Sequence, residues 1–141
     1  MGIVATNAER ARLFFRFRPP RVPVGADPEL DTHRAYGLPQ SAITPEFLEV
    51  VESKARELAR ELKVEVSPEG AHHTIGRLDG FELTESDDTA MHRHQAQLTG
   101  QCLVDRDCIV RWANIECARD GLAGLSQFPT DEELLAAARV L

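Results

Sequence analysis

The spacing of apolar and polar residues divides this chain into short elements. Ile3, Val4 and Ala5 form an apolar run almost at the start. Thr6-Asn7-Ala8-Glu9 follows, in which Thr6 can cap a helix and Glu9 can reach back to it. The pattern predicts a strand feeding a helix from Ala8 to Phe17. Pro19-Pro20 should end that helix, because proline has no N–H to donate and forces its predecessor out of the helical region. Leu13, Phe14 and Phe17 mark its apolar stripe, with Arg12 and Arg16 on another face. Val22, Val24 and Ala26 alternate as a second strand. Asp27 then reads as the cap of a short helix with Pro28 at its first position, and Gly37 after Tyr36 suits the left-handed residue that closes it.

Thr44-Pro45 opens the longest predicted helix. Phe47, Val51, Ala55, Leu58 and Leu62 recur there at helical spacing as a buried face, with Glu57 and Glu61 on the other side. From Val64 to Gln97 the periodicity weakens. Val64 and Val66 can start a strand, Pro68-Glu69-Gly70 reads as a turn, and Thr84 to Asp88 as a polar loop. Gln101–Asp105 and Ile109–Trp112, joined through Arg106-Asp107-Cys108, carry a β-hairpin signal. A two-residue turn would set Cys102 opposite Arg111 and a three-residue turn opposite Trp112; neither register joins Cys102 to Cys108. Thr130-Asp131-Glu132-Glu133 is a capping box before a closing amphipathic helix with Leu134, Leu135, Ala138 and Leu141.

A length of 141 residues favours a single domain over 1–141, and 43% hydrophobic with 28% charged residues fits a packed fold and not a disordered chain. The net charge of −7 disfavours a general nucleic-acid or anionic-membrane surface, so neither partner is expected. No stretch approaches the ~20 apolar residues of a membrane span. Three cysteines without a CxxC pair point away from a disulfide framework and toward a reducing, cytoplasmic setting.

Candidate chemistry rests on thiols and imidazoles. Cys102 lies among the apolar residues of the first hairpin strand, where burial disfavours the thiolate and packing is its expected role. Cys108 is flanked by Arg106 and Arg111, which favour a thiolate, and by Asp105 and Asp107, which oppose it. Cys117 follows Glu116 and precedes Arg119. His72 and His73 would point to opposite faces of a strand. His92 and His94 could share a metal if their segment is extended, against the expectation that they are surface residues and no metal is bound. Arg12 to Arg21 mixes cations and aromatics as a single-strand nucleic-acid platform does, but helical spacing separates the two sets and favours a docked helix with a solvated basic edge. No phosphate-binding glycine loop, HExxH or GxSxG occurs, and no cofactor is expected.

Val24-Gly25-Ala26-Asp27-Pro28-Glu29 followed by Thr32 to Pro39 resembles the "strand, Asp-Pro, helix, Tyr-Gly" stretch of the alkyl hydroperoxide reductase and thiol-specific antioxidant family, the peroxiredoxin-like redoxins. Leu103 to Trp112 is similar to their hairpin and Phe128 to Leu135 to their last helix. The resemblance covers about residues 2 to 39 and 99 to 141. It implies an α/β fold: a thioredoxin-like sheet flanked by helices, missing its first βα unit, with a mostly helical and loop insertion at about 40–98 before the hairpin. It also implies kinship with antioxidant thiol oxidoreductases, a thiol or disulfide protein as partner, and a position for Thr99 just before the hairpin. The family's reactive Cys lies on the strand and helix that have no counterpart here. The expected product is therefore either an inactive redoxin or a non-enzymatic scaffold or interaction module. The absent strand would leave a gap of two strand spacings, on the order of 10 Å, lined by unpaired backbone groups. Val64–Val66 or His73–Ile75 could fill it, or a second chain; a homodimer is the favoured expectation.

Overall fold

In the computed structural model, which describes residues 1–141, β1 (Gly2–Val4) leads into α1 (Ala8–Phe17) and then β2 (Val24–Ala26). β1 and β2 run parallel with Ile3 opposite Gly25, so the chain opens with a right-sized βαβ unit. Asn7 caps α1 in place of the expected Thr6. Its carboxamide oxygen accepts from the Arg10 N–H at 2.8 Å, because the donor in reach is the third residue of a helix that starts at Ala8. β2 begins at Val24 and not Val22, since Pro23 has no N–H and leaves Val22 exposed in the connection. Asp27 does cap the next helix, but α2 spans Asp31–Ala35: the Asp27 carboxylate accepts from the N–H groups of Asp31 (2.9 Å) and Thr32 (2.8 Å). Pro28 lies in the intervening turn, which ends at Leu30 with φ 60° and its side chain fully buried.

β3 (Gln40–Ser41) precedes α3 (Pro45–Leu62), where the Thr44 hydroxyl accepts from the Phe47 N–H at 3.2 Å. The buried face of α3 is Phe47, Ala55 and Ala59, with Val51 half-buried; Leu58 and Leu62 are exposed, contrary to the sequence reading. The small Ala59 takes the inward position one step round the helix. The α4 helix (Ala71–Gly76) packs on α3, its N-terminus held by Glu52, whose carboxylate accepts from the N–H groups of Ala71 (2.8 Å) and His72 (2.9 Å). These two bonds, with the nearby Arg56, keep the Glu52 carboxyl below its ordinary value despite partial burial. Residues 64–66 make no strand, and His73–Ile75 lie within α4, so neither expected segment adds to a sheet. Thr84–Asp88 is not a loop. Asp87 accepts from the Thr84 N–H (2.7 Å) and hydroxyl (2.9 Å), a capping box that opens α5 (Glu85–His94), and β4 (Ala96–Gln97) pairs antiparallel with β3.

The strands form three separate two-stranded sheets, and the chain divides into two units, Met1–Gln97 and Leu98–Leu141. In the first, α1 docks through Arg10, Phe14 and Phe17, positions i, i+4 and i+7. Phe14 and Phe17 meet the buried Phe81 edge to face with ring centroids 5.0 and 5.8 Å apart, and the Arg10 guanidinium lies 4.5 Å from the same ring. Leu13, expected in this stripe, is exposed, and Phe17 meets Phe81 while remaining partly open to solvent. The second unit is the antiparallel hairpin β5 (Gly100–Val104) and β6 (Val110–Ile115), a 3-10 turn at Gly121–Gly124, and α6 (Asp131–Ala138). Thr130 and Glu133 form the expected capping box: Thr130 accepts from the Glu133 N–H at 3.2 Å, and Glu133 from the Thr130 N–H at 2.7 Å. The apolar side of α6 is less covered than its amphipathic pattern suggests, with Leu135 and Leu141 exposed. No helix is long and apolar enough to cross a membrane.

Two glycines of α4 separate backbone need from helix cost. Gly70, just before the helix, has φ 109°, and a Cβ there would stand 3.2 Å from the Glu52 carboxylate, whereas a Cβ on Gly76 meets nothing within 4 Å. Gly70→Ala should cost about 1–3 kcal/mol, while Gly76→Ala should be neutral or stabilise by up to about 1 kcal/mol. Urea unfolding followed by circular dichroism measures both, and equal effects would contradict this placement of Gly70.

Candidate functional site

The hairpin tip is built by Asp105. Its N–H donates to the Ile109 carbonyl (3.0 Å) and its own carbonyl accepts from the Cys108 N–H (3.1 Å). That closes a three-residue loop whose last residue, Cys108, has φ 62°, the left-handed conformation that glycine adopts at least cost. The Asp105 carboxylate accepts from the N–H groups of Ile109 (3.0 Å) and Asp107 (2.8 Å) and from Arg111 Nε (2.6 Å). The Ile109 bond first, and then Arg111, hold its carboxyl below the ordinary range. Arg111 is the extra residue of a bulge: Val104 faces Val110, but Leu103 faces Trp112 and Cys102 faces Ala113. Both expected registers are thus displaced beyond the tip, because a three-residue loop is followed by one unpaired residue turned toward Asp105. Cys102 and Cys108 stay apart in this register, and the three thiols are free.

None of the thiols lies at a helix N-terminus. Cys102 is half-buried in β5, and burial pushes its thiol up. Cys117 follows β6 with φ 61°; burial pushes its thiol up and the neighbouring Glu116 adds to the effect. Cys108 is exposed, and Arg111, one of the two cations expected to favour its thiolate, is bound to Asp105. Glu116 itself is buried and works as a staple. Its carboxylate accepts from the N–H groups of Thr99 (2.8 Å) and Ser126 (2.7 Å), while its own N–H donates to the Thr99 carbonyl at 2.9 Å. Thr99 is thereby part of a hairpin clamp. Beside the hairpin lies an open cleft of about 750 Å³, with Val104, Trp112, Ala137 and Val140 as apolar walls and Arg106 and Asp107 among its polar lining.

The histidines do not gather. His92 and His94 lie on α5, where residues two apart point about 200° from each other, so the extended segment that a shared metal requires is replaced by a helix. His72 and His73 lie on α4, and no group of three His, Cys, Asp or Glu side chains converges anywhere in the chain. One arrangement escaped the sequence reading: His33 Nδ1 lies 3.2 Å from the Asp27 carboxylate, with both side chains largely buried. Burial pushes the Asp27 carboxyl up, but the bond with His33 and those from the Asp31 and Thr32 N–H groups outweigh it and leave the group below its ordinary value. The spacing Asp27…His33 across a one-turn cap was the available signal.

Comparison of the chain with protein-family models, with curated proteins and with solved structures found no match in any of the three.

A lowered carboxyl pKa means that ionised Asp27 favours the folded state. This stabilisation is complete above the ordinary aspartate value of about 3.9 and is lost as pH falls through the lower folded value. The Asp27→Asn variant should therefore be less stable than the parent at neutral pH, with the gap closing below about pH 4. Denaturant unfolding across this range measures the gap, and one that stays constant with pH would contradict the assignment.

Proposed function

We propose that this chain is a redoxin-like α/β scaffold, related to the alkyl hydroperoxide reductase and thiol-specific antioxidant proteins, that acts by association and not by thiol chemistry. The order βαβ, Asp-capped short helix, left-handed Gly37, hairpin and capped last helix supports the kinship. The placement of the thiols carries the functional reading. Peroxide reduction requires a thiolate held near a cation or helix N-terminus, whereas Cys102 and Cys117 are pushed toward the protonated form and Cys108 sits in a hairpin turn. Cys108 is nonetheless the thiol that a thiol or disulfide partner protein would meet, and a reducing cytoplasm is the compartment that suits free thiols.

Self-association is the form of binding favoured by exposed apolar residues. Leu135, Val140 and Leu141 are open to solvent in the hairpin unit, and each small sheet ends in strands with one unpaired edge. A homodimer covers such surfaces with a single interface type. This reading needs no cofactor, nucleic acid or membrane.

Stopped-flow consumption of hydrogen peroxide by the chain and by its Cys102→Ser/Cys108→Ser/Cys117→Ser variant should show no difference; a large cysteine-dependent rate would overturn the non-enzymatic reading. Light scattering after size exclusion should report a dimer that dissociates on dilution, and a monomer of 15.7 kDa at every concentration would refute self-association.

A further inference from the structure

The open side of β2 is chemically distinct from the other strand edges. The Gly2 N–H donates to the Pro23 carbonyl and the Asp27 N–H to the Val4 carbonyl, both at 2.8 Å, which fixes the phase of the parallel ladder. Alternation then turns the Gly25 backbone groups toward β1 and those of Val24 and Ala26 away from it. No third strand joins this sheet, so a short row of N–H and C=O groups is left unpaired along β2. Immediately beside it lies a groove of about 380 Å³ between β2 and α1. Ala11, Phe15, Val24 and Ala26 contribute apolar walls, Arg12 and Arg16 stand exposed within it, and no acidic side chain lines it. Arg12 and Arg16 form no ion pair, as is true of eight of the fourteen arginines, and what sets these two apart is that they stand together, one helical turn apart, on an apolar groove beside an unpaired strand edge.

We propose that this groove binds an extended acidic segment of another protein, which pairs with Val24–Ala26 as an added strand and presents an apolar side chain and a carboxylate two residues apart to α1. Residues two apart share one strand face, so the apolar group fills the groove while the carboxylate meets Arg12 or Arg16. A second copy of this chain fits less well. Pairing β2 with β2 about a two-fold axis would set both copies of Arg12 and Arg16 on the same side of the joined sheet, like charge facing like. The overall charge of −7 does not prevent an acidic ligand from binding, because at physiological salt repulsion from carboxylates beyond about 8 Å is largely screened. The proposal stands whether or not the thiols react, since it uses none of them.

The test uses the full chain and a short fluorescein-labelled peptide in which Thr alternates with Val and Glu, followed by anisotropy. Arg12→Glu/Arg16→Glu should weaken binding about tenfold or more, and Arg12→Gln/Arg16→Gln by less; both positions are exposed, so circular dichroism should show the parental fold. Two versions of the peptide, N-methylated on one or the other alternate set of amides, separate strand pairing from charge attraction. The set that faces β2 should abolish binding and the other should leave it intact. Affinity that is unchanged by the charge reversal, or lost equally with both methylated peptides, would overturn the proposal. So would a single-stranded oligonucleotide that binds this surface more tightly than the peptide.

Discussion

The Arg10 guanidinium is the point on which the Met1–Gln97 unit depends. It donates through Nε to Asp87 at 2.7 Å, through Nη2 to the same carboxylate and to the Glu82 carbonyl at 3.0 Å, and it covers the face of Phe81. Asp87 in turn holds the N–H and hydroxyl of Thr84 and so starts α5. One side chain thus fastens the first βαβ helix to a segment more than seventy residues later. Burial pushes the Asp87 carboxyl up, and the bonds from Arg10 and Thr84 more than reverse this, leaving the group below its ordinary value.

That dependence follows from the composition of the core. Four of the seven buried apolar residues of this unit are alanines, Ala11, Ala55, Ala59 and Ala71, and Leu30 is the one large side chain that is completely enclosed. Alanine permits close approach of helices but contributes little apolar area, so less stabilisation comes from burial than a leucine-rich core would supply. Carboxylates take over part of the task by accepting backbone N–H groups from turns and helix starts. Asp27 holds α2, Glu52 holds α4, Asp87 holds α5, and Glu116 ties both strands of the hairpin to the loop after the 3-10 turn. Each of these groups is satisfied, and no buried side-chain nitrogen or oxygen lacks a partner.

The same chemistry decides what could be read from the sequence. Elements announced by local signals, such as the Thr44-Pro45 and Thr130 caps, the Gly37 turn and the hairpin, were legible because the residues that make them are neighbours. The docking face of α1 was half legible: Phe14 and Phe17 stand in the apolar pattern, but its third member is Arg10, whose role exists only once Asp87 and Phe81 arrive from far along the chain. The start of α5 was missed because Thr84 to Asp88 is polar throughout and no apolar run follows to announce a helix. At the hairpin, the two strands were legible but the residues allowed a two- or a three-residue turn, and the bulge at Arg111, whose side chain binds Asp105, set Cys102 opposite Ala113 in place of either expected partner. The thiols could be named from sequence, while the pairing of His33 with Asp27 was signalled only by their spacing, which becomes a contact because α2 starts four residues after its cap.

The most direct test of this account is a double-mutant cycle on Arg10→Met and Asp87→Asn, measured by urea unfolding. The account predicts that each single change destabilises the chain and that the two couple by about 1–2 kcal/mol, reflecting a pair that is largely shielded from water. A coupling energy within about 0.3 kcal/mol of zero would mean that Arg10 and Asp87 act independently, and would contradict the claim that this contact holds the unit together.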